Sequence, residues 1–321
     1  MSENKWTSLA MWERNAVTDD QGDVAMCFGL AVTMYFRAGH TEEKRRAILE
    51  CFDEYQRLCG SALRWWVTED KWLSPVTKLK SRDMSPYLLS RKFEEPAAYD
   101  RTWAFLWHGA EKKESASPFL IEAFGASKMD MEVHDGFSYL RVSFPVTWFE
   151  ERVEDFLRLI LRWSERVQPV HGYGGVTLIR SPNDGFSQMH EEEESGFAAR
   201  YPGIEIDDPL GHSMRTQTGI KGGNWITILS KAFVEKLGGA AELREHLGTG
   251  FRVEEYSGGA MIVAGPVPEI GDRNRNIDTP HYRRLAQVLK PIRIDRHPPI
   301  QVRGRLSEEG AFAAWLARFD D

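Results

Sequence analysis

The sequence predicts an α+β fold made mainly of antiparallel sheet, built from repeated β-α-β modules with helices packed on one face. Three observations predict it. A strand-helix-strand theme occurs three times along the chain. The strand segments are rich in aromatic and β-branched residues, whereas the helical ones carry apolar residues at 3.6-residue spacing behind good N-cap residues. No period recurs strictly enough for a solenoid.

In the first unit, residues 27–36 (CFGLAVTMYF) read as a strand. Thr41 is the expected N-cap, with Glu42 and Glu43 in the first turn, where the helix dipole favours them. Ile48, Leu49, Phe52, Tyr55 and Cys59 recur at helical spacing to about residue 58; Gly60 ends the helix and 63–67 return as a strand.

The second unit has a strand at 137–144, a Thr147–Glu150 capping box, and a helix burying Val153, Phe156, Leu157, Ile160 and Leu161. Residues 174–180 are its returning strand. In the third, strand 224–229 leads through Ser230 as N-cap into helices at 231–237 and 240–247, divided by Gly238-Gly239. Segments 251–256 and 260–264 form a hairpin, a helix follows Thr279-Pro280, and a last one spans 308–318. Residues 71–117, interrupted by Pro75, Pro86 and Pro96, read as an irregular connection with an apolar island at 103–107. This places a domain boundary near residue 115, between 1–115 and 116–321. One intertwined domain over 25–321 is the alternative.

The 321 residues, 42% hydrophobic and 28% charged, suffice for a sizeable core without metal or disulfide staples. The N-terminus lacks a basic region followed by an apolar one, and no apolar stretch approaches the roughly 18 residues of a membrane span. Three cysteines without CxxC spacing suit a reducing compartment, so the cytoplasm is expected.

Charge is uneven. Residues 181–210 hold Asp184, Glu191, Glu192, Glu193, Glu194, Glu205, Asp207 and Asp208 against one base, Arg200, a balance equal to the net charge of the whole chain, −7. Residues 271–305 hold nine bases and three acids. Such asymmetry bears on partners rather than on fold.

No constellation for catalysis assembles in the sequence. The nine histidines show no HxH or HExxH grouping, and four consecutive glutamates cannot converge on one ion, so no metal or other cofactor is expected. There is no GxSxG or SxxK, and Cys51 and Cys59 share a helix face with Ile48 and Tyr55, as buried small hydrophobes do. The Gly-rich stretches 171–175, 221–224 and 258–259 fit no phosphate loop and read as turns or bulges at positive φ. The arginine-rich segment is interleaved with acids and an amphipathic helix, which favours pairing within the chain over direct contact with nucleic acid. A long chain without an assembled site reads as a protein-binding protein and not an enzyme.

Five stretches in order resemble one family: 34–41 (MYFRAGHT), 169–175 (PVHGYGG), 200–209 (RYPGIEIDDP), 220–229 (IKGGNWITIL) and 264–274 (AGPVPEIGDRN). Together they are similar to the type VI secretion immunity proteins, over nearly the whole chain from about residue 25. The resemblance implies an inhibitor of a type VI effector of the restriction-endonuclease-like nuclease kind, including VRR-Nuc toxins, and brings no catalytic residue with it. On this reading Glu191, Glu192, Glu193, Glu194, Glu205, Asp207 and Asp208 form an acidic surface that meets the basic DNA-binding cleft of the toxin and occludes it. Two rival readings stand beside it. One is an enzyme using dispersed residues such as His171, Asp208, Lys221 and Arg273; the other is a nucleic-acid binder using the arginine-rich segment.

Overall fold

The computed structural model describes residues 9–69, 71–89 and 101–320. Twelve strands join in one sheet: β1 (Ala16–Thr18), β2 (Val24–Phe36), β3 (Trp65–Thr68), β4 (Lys71–Pro75), β5 (Trp103–His108), β6 (Leu120–Gly125), β7 (Ser138–Phe144), β8 (His171–Arg180), β9 (Glu205–Ile206), β10 (Ile226–Ser230), β11 (Phe251–Tyr256) and β12 (Gly259–Ala264). Ten of them run in the order β11-β12-β10-β8-β2-β7-β6-β5-β3-β4, with β1 added to β2 and β9 to β8. Every pairing is antiparallel except β8–β9. The α+β class and the antiparallel sheet are as the sequence predicts.

The connectivity is less simple than three consecutive modules. The long strand β2 lies between β7 and β8, so the second strand-helix-strand unit closes around the first strand of the first. The strand returning from that first unit, β3, does not pair with β2; it lies four places away, between β5 and β4. Strands from both sides of residue 115 thus share one hydrogen-bonded sheet.

The helices are α1 (Ala10–Glu13), α2 (Glu42–Cys59), α3 (Ser85–Leu88), α4 (Lys128–His134), α5 (Val153–Val167), α6 (Asp184–Gln188), α7 (Glu191–Arg200), α8 (Pro209–Ser213), α9 (Lys231–Lys236), α10 (Ala240–Leu247), α11 (Pro280–Leu289) and α12 (Ala311–Leu316). Thr41 caps α2 as expected, its hydroxyl accepting from the Lys44 amide. Ile48, Cys51, Phe52, Tyr55 and Cys59 face inward, and Phe52 meets Trp107 at 5.1 Å between ring centroids. Burial pushes the Cys59 thiol up to about 12 and Cys51 higher still, so neither is a nucleophile near neutral pH. Helix α5 lies beside α2, where Glu54 accepts from Arg162 (2.7 Å), Trp163 (2.9 Å) and Arg166 (2.6 Å). Beneath the two helices, Phe28, Leu30, Val32, Met34 and Phe36 alternate along β2 into the main core.

Several local expectations give way to tertiary contacts. The Thr147–Glu150 capping box does not form; α5 begins at Val153 after Arg152, and Thr147 directs its amide (2.5 Å) and hydroxyl (2.7 Å) to Glu13. Ser230 precedes α9 without a side-chain cap bond, and the last helix is shorter than expected. The irregular connection contains β4, α3 and β5; Pro96 lies outside the described residues. Strand β6 and α4, the latter with a Ser127–Asp130 capping box, have no counterpart among the elements the sequence predicts.

The glycines of 171–175 are not turns. They lie within β8, where the missing side chain admits a close neighbour; a Cβ on Gly175 would stand 2.2 Å from Asn224 Oδ1. At Gly125, at the end of β6, a Cβ would stand 2.0 Å from the Trp103 indole, whose Nε1 donates to the Gly39 carbonyl (2.8 Å). Gly125→Ala is therefore expected to displace that indole and cost about 1–3 kcal/mol, read as a lower urea midpoint at unchanged m-value. An unchanged midpoint would refute the close packing.

Candidate functional site

The acidic stretch occupies α6, α7, β9 and α8, and the fold divides it. In α7, successive residues are turned about 100° from one another, which separates the four glutamates. Glu192 and Glu193 face solvent, while Glu191 and Glu194 are buried. Glu194 forms a two-point bridge to Arg180 at the end of β8 (2.9 and 2.5 Å). Glu191 accepts from the Val302 (3.0 Å) and Arg303 (2.5 Å) amides. Glu205, in β9, and Asp207, just after it, are buried as well; Asp208 is half-buried and caps α8 through the Gly211 amide (3.1 Å).

Asp207 is the centre of a charge network on the sheet face opposite α2 and α5. Residues 33, 141 and 173 lie side by side on β2, β7 and β8, and their side chains point to this face. Thr33 donates to Asp207 (2.7 Å), as does the Tyr173 hydroxyl; Arg141 Nε lies 3.2 Å from its carboxylate. Lys221 Nζ stands 2.8 Å from Glu205, 3.8 Å from Asp207 and 3.5 Å above the Tyr173 ring. Arg318, near the C-terminus, reaches Glu205 (3.3 Å), and Asn224 donates to it (3.0 Å). His212 of α8 contacts Tyr173 (3.1 Å), and His171 contacts Thr216 (3.0 Å).

Burial and mutual charge set the protonation states. Burial alone would raise the Asp207 carboxyl, but Arg141, His212 and Lys221 hold it well below the usual carboxylate range. Burial lowers Lys221, opposed by Glu205 and Asp207. His171 and His212 are each pushed down to about 3, first by burial and then by the Lys221 charge, so both are neutral at pH 7. The Arg318 guanidinium is lowered to about 10 by burial against the pull of Glu205.

Of the dispersed residues named for an enzymatic reading, His171 and Lys221 belong to this network and Asp208 borders it, while Arg273 sits in a short exposed 3-10 turn. The charged groups face one another: Asp207 and Lys221 are each 3% exposed. A substrate would have to displace existing ion pairs to reach them. Among the described residues, no three His, Cys, Asp or Glu side chains are grouped to hold a metal ion. Nor is any described helix long and apolar enough to cross a membrane.

The five stretches that carry the family resemblance fall into two groups. Three of them meet in the middle of the sheet, where Met34 pairs with Gly172 and Gly172 with Ile228. The other two meet at the chain surface. Arg200 forms a two-point bridge to Asp272 (3.1 and 2.9 Å), and the Gly203 amide donates to the Ile270 carbonyl (2.8 Å). With Trp12 and His281 they border a groove of about 380 Å³.

A family model described as type VI immunity for VRR-NUC, TsiV, matches residues 47–319. The chain belongs to the TsiV family. It is thus a type VI immunity protein by descent, as the order of the five stretches implies. Among solved structures it is similar to a Pseudomonas aeruginosa T6SS protein, with 24% identity, a TM-score of 0.86, and coverage of 98% of this chain and 90% of that one. This likeness shows that the two share a fold. No curated protein matches.

Two features of this TsiV chain lay beyond sequence reasoning. One is the pairing of Asp207 with Arg141, which lie 66 positions apart on different elements. The other is the inward turn of Glu191 and Glu194. The only available signal was the capacity of an α-helix to send residues three apart to one face, and it does not say which face is covered.

Proposed function

We propose that this protein acts in the cytoplasm as an antitoxin, binding a cognate VRR-Nuc effector and occluding its DNA-binding or active site. The match to the immunity family over residues 47–319 carries this reading. The buried charge network supports it, since its groups are engaged with one another rather than set around an open cleft. In the proposed complex, the exposed Glu192 and Glu193 of α7 lie against the basic cleft of the nuclease. Glu191, Glu194, Glu205, Asp207 and Asp208 contribute by holding that surface in shape. Charge of this kind mainly accelerates encounter and sets its salt dependence.

Co-expression with the VRR-Nuc effector is expected to restore growth, and the purified chain to suppress DNA cleavage at stoichiometric ratio. Glu192→Gln/Glu193→Gln is expected to slow association severalfold at low salt and to flatten its salt dependence. Undiminished DNA cleavage with excess wild-type chain would defeat the proposal. An unchanged association rate in the double variant would remove α7 from the interface.

The nucleic-acid reading gains little support. Arg283 pairs with Asp278 (2.9 Å) and Arg293 with Asp320 (2.5 Å), while Arg284 donates to the His246 carbonyl.

A further inference from the structure

The loop over residues 296–305 is held against α7 by side chains of both. Pro298 and Pro299 stiffen its approach by fixing φ. The buried Gln301 then enters the helix: its amide donates to Glu194 (2.5 Å) and its carbonyl oxygen accepts from Ser195 (2.7 Å). Glu191 takes the next two backbone amides, and Ser195 accepts from the Leu306 amide (3.2 Å). Gly304, at φ +77°, passes so close that a Cβ would stand 2.7 Å from the Glu191 carbonyl oxygen. Together these contacts fix the loop's conformation against α7 before any partner arrives.

What the moorings present is unusual for a solvated loop. Val302 stands at the tip, 72% exposed. Arg296, Arg303 and Arg305 are exposed around it, and none forms an ion pair among the described residues. We propose that this loop is a preformed contact for the effector, with the arginines pairing to carboxylates on the effector surface and Val302 seated among apolar side chains between them. The inference rests on the chain binding an effector. Holding the loop in place beforehand lowers the ordering cost of association, and arginine beside an apolar anchor is the composition of an interface hot spot. A carboxylate-bearing protein surface suits the loop better than nucleic acid. Val302 at the tip is an apolar group that gives a phosphate backbone nothing to bind, whereas a protein surface can bury it between its own apolar side chains.

The test uses the full-length chain and the VRR-Nuc effector, with dissociation constants from titration calorimetry and a labelled DNA duplex as control. Arg303→Glu/Arg305→Glu is expected to weaken effector binding at least about 30-fold, the size of a hot-spot loss, with an unchanged melting temperature. Val302→Ser is expected to weaken it less, and Arg303→Lys to retain most of the affinity. A double-variant affinity within twofold of wild type, while wild type binds, overturns the loop assignment and leaves the antitoxin reading intact. Failure of wild type to bind overturns both. Loss of DNA binding in the double variant with effector binding kept overturns the proposal in favour of nucleic acid.

Discussion

Asp207→Ala is expected to destabilise the protein by about 3–5 kcal/mol, the usual cost of removing one partner from a buried ion pair. The carboxylate receives Thr33 and Tyr173 and faces both Arg141 and Lys221. Without it, the 6%-exposed Arg141 side chain keeps only Glu122, at 3.7 Å, a carboxyl whose own protonation is raised by burial. The uncompensated charge, rather than the lost contact area, supplies most of the penalty. Asp207→Asn preserves shape and can keep both hydrogen bonds, accepting from Thr33 and donating to the Tyr173 hydroxyl, but not the charge that faces Arg141 and Lys221. Urea melts of the two variants decide the matter: a loss below about 1 kcal/mol in both would mean that the network contributes little. A loss of effector protection at unchanged stability would instead give Asp207 a direct role in binding.

Stability is also expected to fall on acidification well before the carboxylates titrate. Four histidines are lowered, each chiefly by burial: His108 to about 4, His171 and His212 to about 3, and His297 in the same direction. In the unfolded chain a histidine titrates near pH 6.5. The sign follows from proton uptake. Below about pH 6.5 the unfolded state gains protons that the folded state refuses, so these groups favour folding above that pH and the advantage is lost as pH falls toward their folded values. Each histidine contributes a slope of about 1.4 kcal/mol per pH unit, or about 2 kcal/mol lost by pH 5. Denaturation midpoints between pH 7.5 and 5 should therefore drop steeply, with about three protons from His108, His171 and His212 taken up on unfolding and a further contribution from His297. His108→Gln, outside the Asp207 network, should remove roughly a quarter to a third of that slope. A flat profile over this range would contradict neutral burial.

Much of the fold was legible because local physics agreed with the tertiary solution. The Thr41 cap of α2, the apolar spacing of α2 and α5, the glycine-divided pair α9 and α10, and the β11–β12 hairpin each follow from neighbours a few residues away. Gly238 and Gly239 take φ of +89° and +92°, a conformation open to glycine and few others, which is why that break was visible. The Thr147 cap does not form because Glu13, from across the molecule, takes the Thr147 amide that Glu150 would have accepted and holds the Thr147 hydroxyl as a donor.

The candidate site divides along the same line. The sequence alone determined the class of fold, the concentration of acid over 181–210, the absence of recognisable catalytic spacing, and the family through five ordered stretches. Only the tertiary structure decided which acids are surface and which are framework. Sheet order places β2 between β7 and β8, and so brings Thr33, Arg141 and Tyr173 together beneath Asp207. The C-terminal loop lies over α7 and turns Glu191 and Glu194 into its moorings. Charge is a property of the residue, but exposure belongs to whatever packs on it, and here that partner lies more than a hundred positions away.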